Sequence, residues 1–182
     1  MFIANYKITN NILKNIGIIE AAREVILSAP LIPAWEAKFR RDAIERTIHH
    51  GTHLEGNRLN EEEVKDVLDG KEIVARERDI QEIINYRNVL KFIDSIAAQI
   101  VQNGSYVLTL ETILEVHRLT VEKIGQQDSA GKIRLTQVVI RNSLTGHISY
   151  SPPPAAELPY LLEDLVFWIN SDNSKDMHPV IK

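Results

Sequence analysis

Three histidines stand close together in the sequence, at His49, His50 and His53, and Glu55 follows two residues later. His49 and His53 lie one helical turn apart, a spacing that chelates a metal ion when the helix persists through both. A zinc hydrolase of this type requires a Glu between the two histidines, and none is present. Gly51 lies between them instead. The pattern therefore favours a solvated helix end with imidazoles near the C-terminal dipole, and we assign no metal ligands.

A carboxylate stands at Glu55, directly before Gly56 and Asn57. This order permits two interpretations. Either the Glu55 side chain is aimed into a neighbouring pocket, or the segment only ends a helix with a glycine cap. The pattern alone leaves both open.

Two common catalytic patterns are not met. The segment 125–132 superficially resembles a phosphate-binding loop, but five residues separate its glycines, and Ile133 stands where a magnesium-binding Ser or Thr belongs. The chain also contains no Gly-x-Ser-x-Gly elbow for a hydrolytic triad. We therefore assign no catalytic residue.

Helices must position most of these side chains. Apolar residues at three- and four-residue steps, together with capping patterns, predict six helices near residues 8–27, 34–50, 61–68, 75–102, 110–125 and 157–170. Asn60 and Glu63 have the spacing of a capping box, which marks the start of the third helix.

The pattern changes after Gly131. A β-branched run at 138–140, turn residues at 142–146 and a second short run at 147–150 predict a β-hairpin. Its outer strand would leave backbone groups able to receive an extended peptide. The fold class predicted is therefore mainly α, a helical bundle with one β-hairpin.

The composition argues against several kinds of site and partner. The 182-residue chain has 21 Lys and Arg against 25 Asp and Glu, a formal charge of −4, and no Cys. Disulfides and thiolate metal sites are excluded, and nucleic acid is not an expected partner, since the basic residues 38–41 are more typical of a solvated helix face. The apolar runs are too short for a membrane span and the N-terminus is too polar for a signal peptide, so we expect a cytoplasmic protein.

In their order along the chain, these features resemble the Fic (Fic/Doc) family. The landmarks that carry the resemblance are Gly131 and Arg134, the hairpin that the family calls the flap, the Pro-rich exit 152–154, the helix containing Trp168, and the final segment 178–182. Residues 61–90 are similar to the N-terminal portion of the larger Fic proteins. The resemblance covers most of the chain from about Pro33 onward and implies a Fic-like helical fold.

The resemblance also implies an activity. Fic proteins typically transfer AMP from ATP to a Ser, Thr or Tyr hydroxyl of a target protein, with Mg²⁺ on the phosphates. Their catalytic signature HPFxDGNGR, which supplies the base, the magnesium-binding acid and the phosphate cradle, follows the segment that begins at His178 by a few helical turns. It does not occur in these 182 residues. We therefore expect the N-terminal part of an adenylyltransferase, inactive by itself and needing ATP and Mg²⁺ only when complete.

A regulatory role is implied for Glu55, Gly56 and Asn57. They match the end of the family's inhibitory helix, whose consensus is Ser or Thr, three residues, Glu, then Gly or Asn. The resemblance implies that the Glu55 carboxylate pairs with an arginine of the catalytic signature and excludes the ATP γ-phosphate. Gly51 stands where the consensus has Ser or Thr, and Thr52 supplies a hydroxyl one residue later, which leaves the anchoring of the helix in question.

The flap is assigned to target docking by β-augmentation. The residues that the resemblance implicates are Val138, Val139, Ile140 and Arg141 on one strand and His147, Ile148 and Ser149 on the other.

The domain organisation follows from the same resemblance. We predict an N-terminal helical region at 1–105, with the inhibitory helix at about 34–57, and the N-terminal half of a Fic core at 106–182, with the flap at about 132–151. The alternative is a stand-alone protein-interaction or regulatory module, or a catalytically dead Fic remnant. Assembly into a homo-oligomer is left open.

Overall fold

Helices dominate the structure, a computed structural model that describes residues 2–30, 32–125 and 127–182. The helices are α1 (Asn10–Ser28), α2 (Pro33–Leu54), α3 (Glu61–Leu68), α4 (Glu77–Asn103), α5 (Leu110–Val121), α6 (Leu158–Asn170) and the short α7 (Asp172–Lys175). Two strands, β1 (Ile140–Arg141) and β2 (Ile148–Tyr150), form an antiparallel hairpin. The prediction of a mainly helical protein with one hairpin is confirmed.

Local capping fixes several helix ends where the sequence predicted them. The Asn60 side chain accepts a hydrogen bond from the Glu63 backbone N–H at 2.9 Å, and the Glu63 carboxylate accepts one from the Asn60 N–H at 2.9 Å. This capping box starts α3. Gly104 ends α4 with a φ of +79°, a left-handed conformation that favours glycine.

The structure decides one predicted helix end and corrects another. The sequence allows the second helix to stop at Gly51 or at Gly56, and α2 continues through Gly51 to Leu54 and is followed by Gly56 at a φ of +92°, so Gly56 marks its end. α5 ends at Val121, four residues before Gly125, because the backbone turns at Glu122 and Lys123 adopts a φ of +60°.

The buried apolar side chains of the described residues lie where α2, α3 and α4 meet. They are Ile48, Leu59, Val64, Val67 and Ile83. Burial of such side chains contributes about 1.5–3 kcal/mol each, so they stabilise this three-helix junction. The connection between α2 and α3, which contains Glu55, is attached directly to it.

α5 is joined to α4 by a buried amide. The Asn85 side chain donates hydrogen bonds to the backbone carbonyls of Thr120 at 3.0 Å and Glu122 at 2.7 Å, and it accepts one from the Gln81 side chain at 2.8 Å. The C-terminal end of α5 is thereby held beside the middle of α4.

The hairpin is shorter than predicted. Val138, Val139 and His147 lie outside the strands, although the His147 carbonyl still accepts a hydrogen bond from Asn142 N–H at 2.9 Å. The base of the hairpin is held by side chains in place of a backbone ladder: Arg134 donates to the carbonyls of Thr136 and Pro153, at 2.7 and 2.6 Å.

The two ends of the chain meet at α6. The Phe2 ring packs against Trp168 with ring centroids 5.0 Å apart, and His178 Nε2 lies 3.0 Å from Glu20 Oε1 of α1. Among the described helices, none has the length and hydropathy that a membrane crossing requires.

Candidate functional site

A cavity of 640 Å³ lies between the end of α2, the first half of α4 and the end of α5. Its lining includes Glu55 and Gly51 from α2 and its cap, Arg78, Glu82 and Tyr86 from α4, and Thr120, Val121 and Ile124 from α5 and the turn that follows it. The elements that form it are those held together by the buried core and by Asn85.

Glu55 is placed at the wall of this cavity by the end of α2. Its backbone N–H donates to the Thr52 carbonyl at 3.0 Å, so the residue closes the last helical turn. Its side chain is exposed and its carboxylate makes no hydrogen bond or ion pair with any residue that the structure describes. Glu55 is therefore a helix cap that also contributes to the lining of the cavity.

Asn57 anchors this turn to α4. The side chain is 2% exposed, and its amide donates to the Asp79 carbonyl at 2.9 Å and to the Glu82 carboxylate at 3.0 Å. Its oxygen accepts the Leu59 N–H at 3.1 Å. With all three bonds formed, Asn57 fixes the path of the chain directly after Glu55.

Gly51 is required by the ring of Tyr86. A Cβ atom at residue 51 would lie 2.6 Å from Cε2 and 2.7 Å from the hydroxyl of Tyr86, closer than van der Waals contact allows. The Thr52 hydroxyl instead donates to the Ile48 carbonyl within its own helix at 2.8 Å. The end of α2 is thus held against α4 by the close approach of Gly51 to Tyr86 and by the hydrogen bonds of Asn57.

The charges around the cavity are unfavourable for a phosphate chain. Arg78 Nε donates to Glu82 Oε1 at 2.8 Å, and this hydrogen bond raises the pKa of Arg78 and keeps the guanidinium paired. Glu55 adds a second carboxylate to the lining. Unlike Glu82, it has no cationic partner among the described residues. The lining therefore does not fit a nucleotide triphosphate, whose phosphates carry charge of the same sign as Glu55 and Glu82, and we derive no reaction step in this cavity.

The sequence was compared with protein-family models and with curated proteins. No protein-family model matches the chain. The protein adenylyltransferase Fic of Culex quinquefasciatus is 26% identical over 164 residues, which cover 89% of this chain and 30% of that protein. Those of Drosophila grimshawi and Drosophila mojavensis are 29% and 30% identical over 147 residues, 78% of this chain and 27% and 26% of theirs.

Solved structures agree. A Fic family protein from Desulfovibrio desulfuricans G20 superposes with a TM-score of 0.71 at 26% identity, over 98% of this chain and 50% of that one. This chain is homologous to the Fic family of protein adenylyltransferases over most of its length. Fic-1 from C. elegans, with a TM-score of 0.66 at 19% identity over 94% of this chain and 49% of that one, shows the shared fold.

The matches cover most of this chain but only part of each relative. The chain spans less than a third of the length of the curated Fic relatives it matches and about half of the matched structures. The Fic-like helical fold itself is confirmed, since the superposition extends over nearly the whole chain.

The hairpin residues do not line the cavity that contains Glu55. Ile140 and Arg141 form β1, and Ile148 and Ser149 belong to β2, with Ile140 opposite Tyr150 and Arg141 opposite Ile148. The Ser149 hydroxyl donates to the Ile140 carbonyl at 3.1 Å within the hairpin. The inhibitory and flap assignments therefore concern two separate surfaces of this chain.

The sequence did not reveal the α4 side of the cavity. Arg78 and Glu82 stand four residues apart, a spacing typical of a helix-surface ion pair, and nothing in it indicates which helix faces them. Tyr86 and Asn85 follow one turn later and look like routine helix residues. Only the contact between α2 and α4 reveals that they face Glu55.

Proposed function

We propose that this chain is the N-terminal part of a Fic-type protein adenylyltransferase, which transfers AMP from ATP to a hydroxyl side chain of a target protein. The observation that carries the proposal is the homology to insect protein adenylyltransferases over 89% of the chain. In the reaction, the target oxygen bonds to the α-phosphorus, the bond to pyrophosphate breaks, and the hydroxyl proton passes to a base.

Glu55 is the autoinhibitory group in this proposal. Its support is geometric: the carboxylate is unpaired among the described residues, sits on a turn fixed by Asn57, and lines a cavity that already contains the Arg78–Glu82 pair. Such a carboxylate binds an arginine of the catalytic signature by a charge-assisted hydrogen bond and repels the ATP γ-phosphate.

The exposed hairpin docks the target in this proposal. Every residue from Ile140 to Tyr150 is exposed, and a two-stranded hairpin has backbone groups on its outer edges that can pair with an extended peptide. Pairing of this kind would hold the target hydroxyl in a defined position relative to the nucleotide.

The 182 residues by themselves are inactive in this proposal. They contain no HPFxDGNGR signature, so the base, the magnesium-binding acid and the phosphate cradle are not among them. The complete protein would bind ATP and Mg²⁺ through those residues. His178, in the last turn of the chain, bonds to Glu20 and is not assigned as the base.

The test starts with the product of the native gene. Its intact mass is measured, and the same protein is incubated with Mg²⁺ and ATP labelled at the α-phosphate. We expect a mass well above 20.7 kDa and covalent label in the protein or in an added lysate. A γ-labelled ATP control separates AMP transfer from phosphorylation, because only the α-label stays on the target in AMP transfer.

The alternative is a stand-alone interaction or regulatory module, or a dead Fic remnant. The exposed hairpin and the unpaired Glu55 are compatible with binding another protein without chemistry. A mass equal to that of the 182 residues, with no incorporation of α-label, would favour this alternative and overturn the adenylyltransferase proposal.

A further inference from the structure

A second group of chemistry-bearing side chains lies where α2 meets α3, outside the cavity lining. His49 and His50 of α2 converge with Glu61 of α3, and one donor atom from each lies within 4.8 Å of the other two. None of the three lines the cavity that contains Glu55. The sequence pattern of α2 did not predict this set, because its acidic member comes from the next helix.

His49 has an unsatisfied ring nitrogen. Nδ1 is buried and makes no hydrogen bond, although buried polar atoms are nearly always paired. The facing group is Glu61 Oε1 at 3.8 Å, too far for a hydrogen bond. Two ligands bound at about 2.1 Å to one tetrahedral ion lie about 3.4 Å apart, so this gap is close to the one an ion would span.

The three side chains differ in how firmly they are held. The His49 side chain is 15% exposed, and Glu61 is the first residue of α3, directly after the N-cap Asn60 of the capping box. Their helices pack through the buried core residues Ile48 and Val64. The side chains of His50 and Glu61 are exposed and can rotate by the small amount needed to bring all three donors to one ion.

His53 is not part of the set. Its ring stacks on His49 with centroids 5.7 Å apart and an interplanar angle of 24°, and its Nδ1 lies 3.2 Å from the Asn57 carbonyl. This hydrogen bond occupies the Nδ1 atom of His53 in the turn that ends α2. His53 therefore supports the His49 ring from one side without joining Glu61.

We propose that His49, His50 and Glu61 bind a divalent transition-metal ion of the zinc class. Two imidazole nitrogens and a carboxylate oxygen are the donor types that Zn²⁺ accepts, and three protein ligands leave a coordination position for water. The ion satisfies the buried Nδ1 and links α2 to α3. Because the folded chain brings the ligands together, binding stabilises the fold by mass action.

The test uses tag-free protein stripped with a chelator. Zn²⁺ binding is measured by calorimetry, Co²⁺ by its visible absorbance, and the melting temperature is recorded with and without Zn²⁺. The variants His50→Gln and Glu61→Gln remove exposed ligands without disturbing the core. The matched controls are Glu62→Gln, one residue away in the same helical turn, and His147→Gln in the hairpin.

We expect one Zn²⁺ per chain, a higher melting temperature with Zn²⁺, and at least about tenfold weaker binding in both ligand variants but in neither control. Equal weakening in the controls, unchanged affinity in His50→Gln and Glu61→Gln, or no binding by the wild-type protein would overturn the proposal. None of these measurements depends on AMP transfer.

Discussion

Asn57 shows how one side chain connects the sequence motif to the fold. It is the last member of the Glu55-Gly56-Asn57 match, and its amide makes three hydrogen bonds in a site that is 2% exposed. We predict that Asn57→Ala lowers the free energy of unfolding by about 1–3 kcal/mol, because Glu82 and the Leu59 N–H lose their partner. Urea denaturation measures this.

The matched control for Asn57 is its exposed neighbour, Arg58→Ala, for which we expect less than about 0.5 kcal/mol. Equal effects at the two positions would contradict the anchoring role.

Gly51 offers a second test at the residue scale. Gly51→Ala places a methyl group against the Tyr86 ring, whereas a methyl group at Gly17 of α1 would meet no other atom within 4 Å. Overpacking costs about 1–3 kcal/mol, while alanine is favoured over glycine inside a helix. We predict that Gly51→Ala is less stable than Gly17→Ala by at least about 1 kcal/mol in thermal and urea unfolding. A difference near zero would mean that the ring moves aside freely.

The structural roles of some residues can be predicted from the sequence, and those of others cannot. Capping signals are local, so Asn60 with Glu63 and the glycine stop at Gly104 could be predicted from spacing alone. The role of Gly51 could not, because its reason is a ring on a helix 35 residues further along the chain.

At the scale of elements, α1 is attached through its polar face. It has no fully buried residue, and Glu20 connects it to His178 near the C-terminus. The His178 hydrogen bond, aided by Arg23, lowers the pKa of Glu20 below its ordinary value of 4.5. A lowered carboxyl pKa stabilises the folded state above that value, and the contribution is lost as the pH falls through the folded-state pKa.

We therefore predict that Glu20→Gln increases amide exchange in α1 at pH values above 4.5 and has little effect well below it. The control is Glu24→Gln on the same helix, whose carboxylate accepts a hydrogen bond from the local Ser28 hydroxyl. A difference between Glu20→Gln and wild type that is the same at both pH values would argue against this bond as the attachment.

In the proposed function, the hairpin is the element that docks the target. Ile148→Pro removes a strand N–H opposite Arg141, in an exposed hairpin whose loss leaves the core intact. In the complete protein we predict that target modification falls at least about tenfold while ATP affinity is unchanged. The control is Leu144→Ala at the 95% exposed tip. Equal loss of both properties would indicate collapse of the fold.

The presence and order of the six longer helices could be predicted from periodicity, whereas the first and last residues of the strands could not. The β-branched run at 138–140 has strand propensity, but Gln137 and Arg134 hold the carbonyls at the hairpin base by side-chain hydrogen bonds. Pairing therefore begins only at Ile140.

At the scale of the molecule, one buried junction of α2, α3 and α4 carries two separate features. Glu55 lines the cavity, and the His49, His50 and Glu61 cluster shares none of the residues that line it. The division into regions 1–105 and 106–182 stays a prediction. The regulatory role of Glu55 stays part of the proposed function.

The most direct test of the proposed regulation is AMP transfer by the complete protein with Glu55 changed. Incorporation of α-labelled AMP is compared for wild type, Glu55→Gly and Glu55→Gln, with Glu62→Gln as the control for loss of one exposed carboxylate. We predict at least about tenfold more label in both Glu55 variants, because one charge-assisted contact is worth about 1.5–3 kcal/mol, and wild-type levels in the control. Unchanged incorporation in the Glu55 variants would contradict the account.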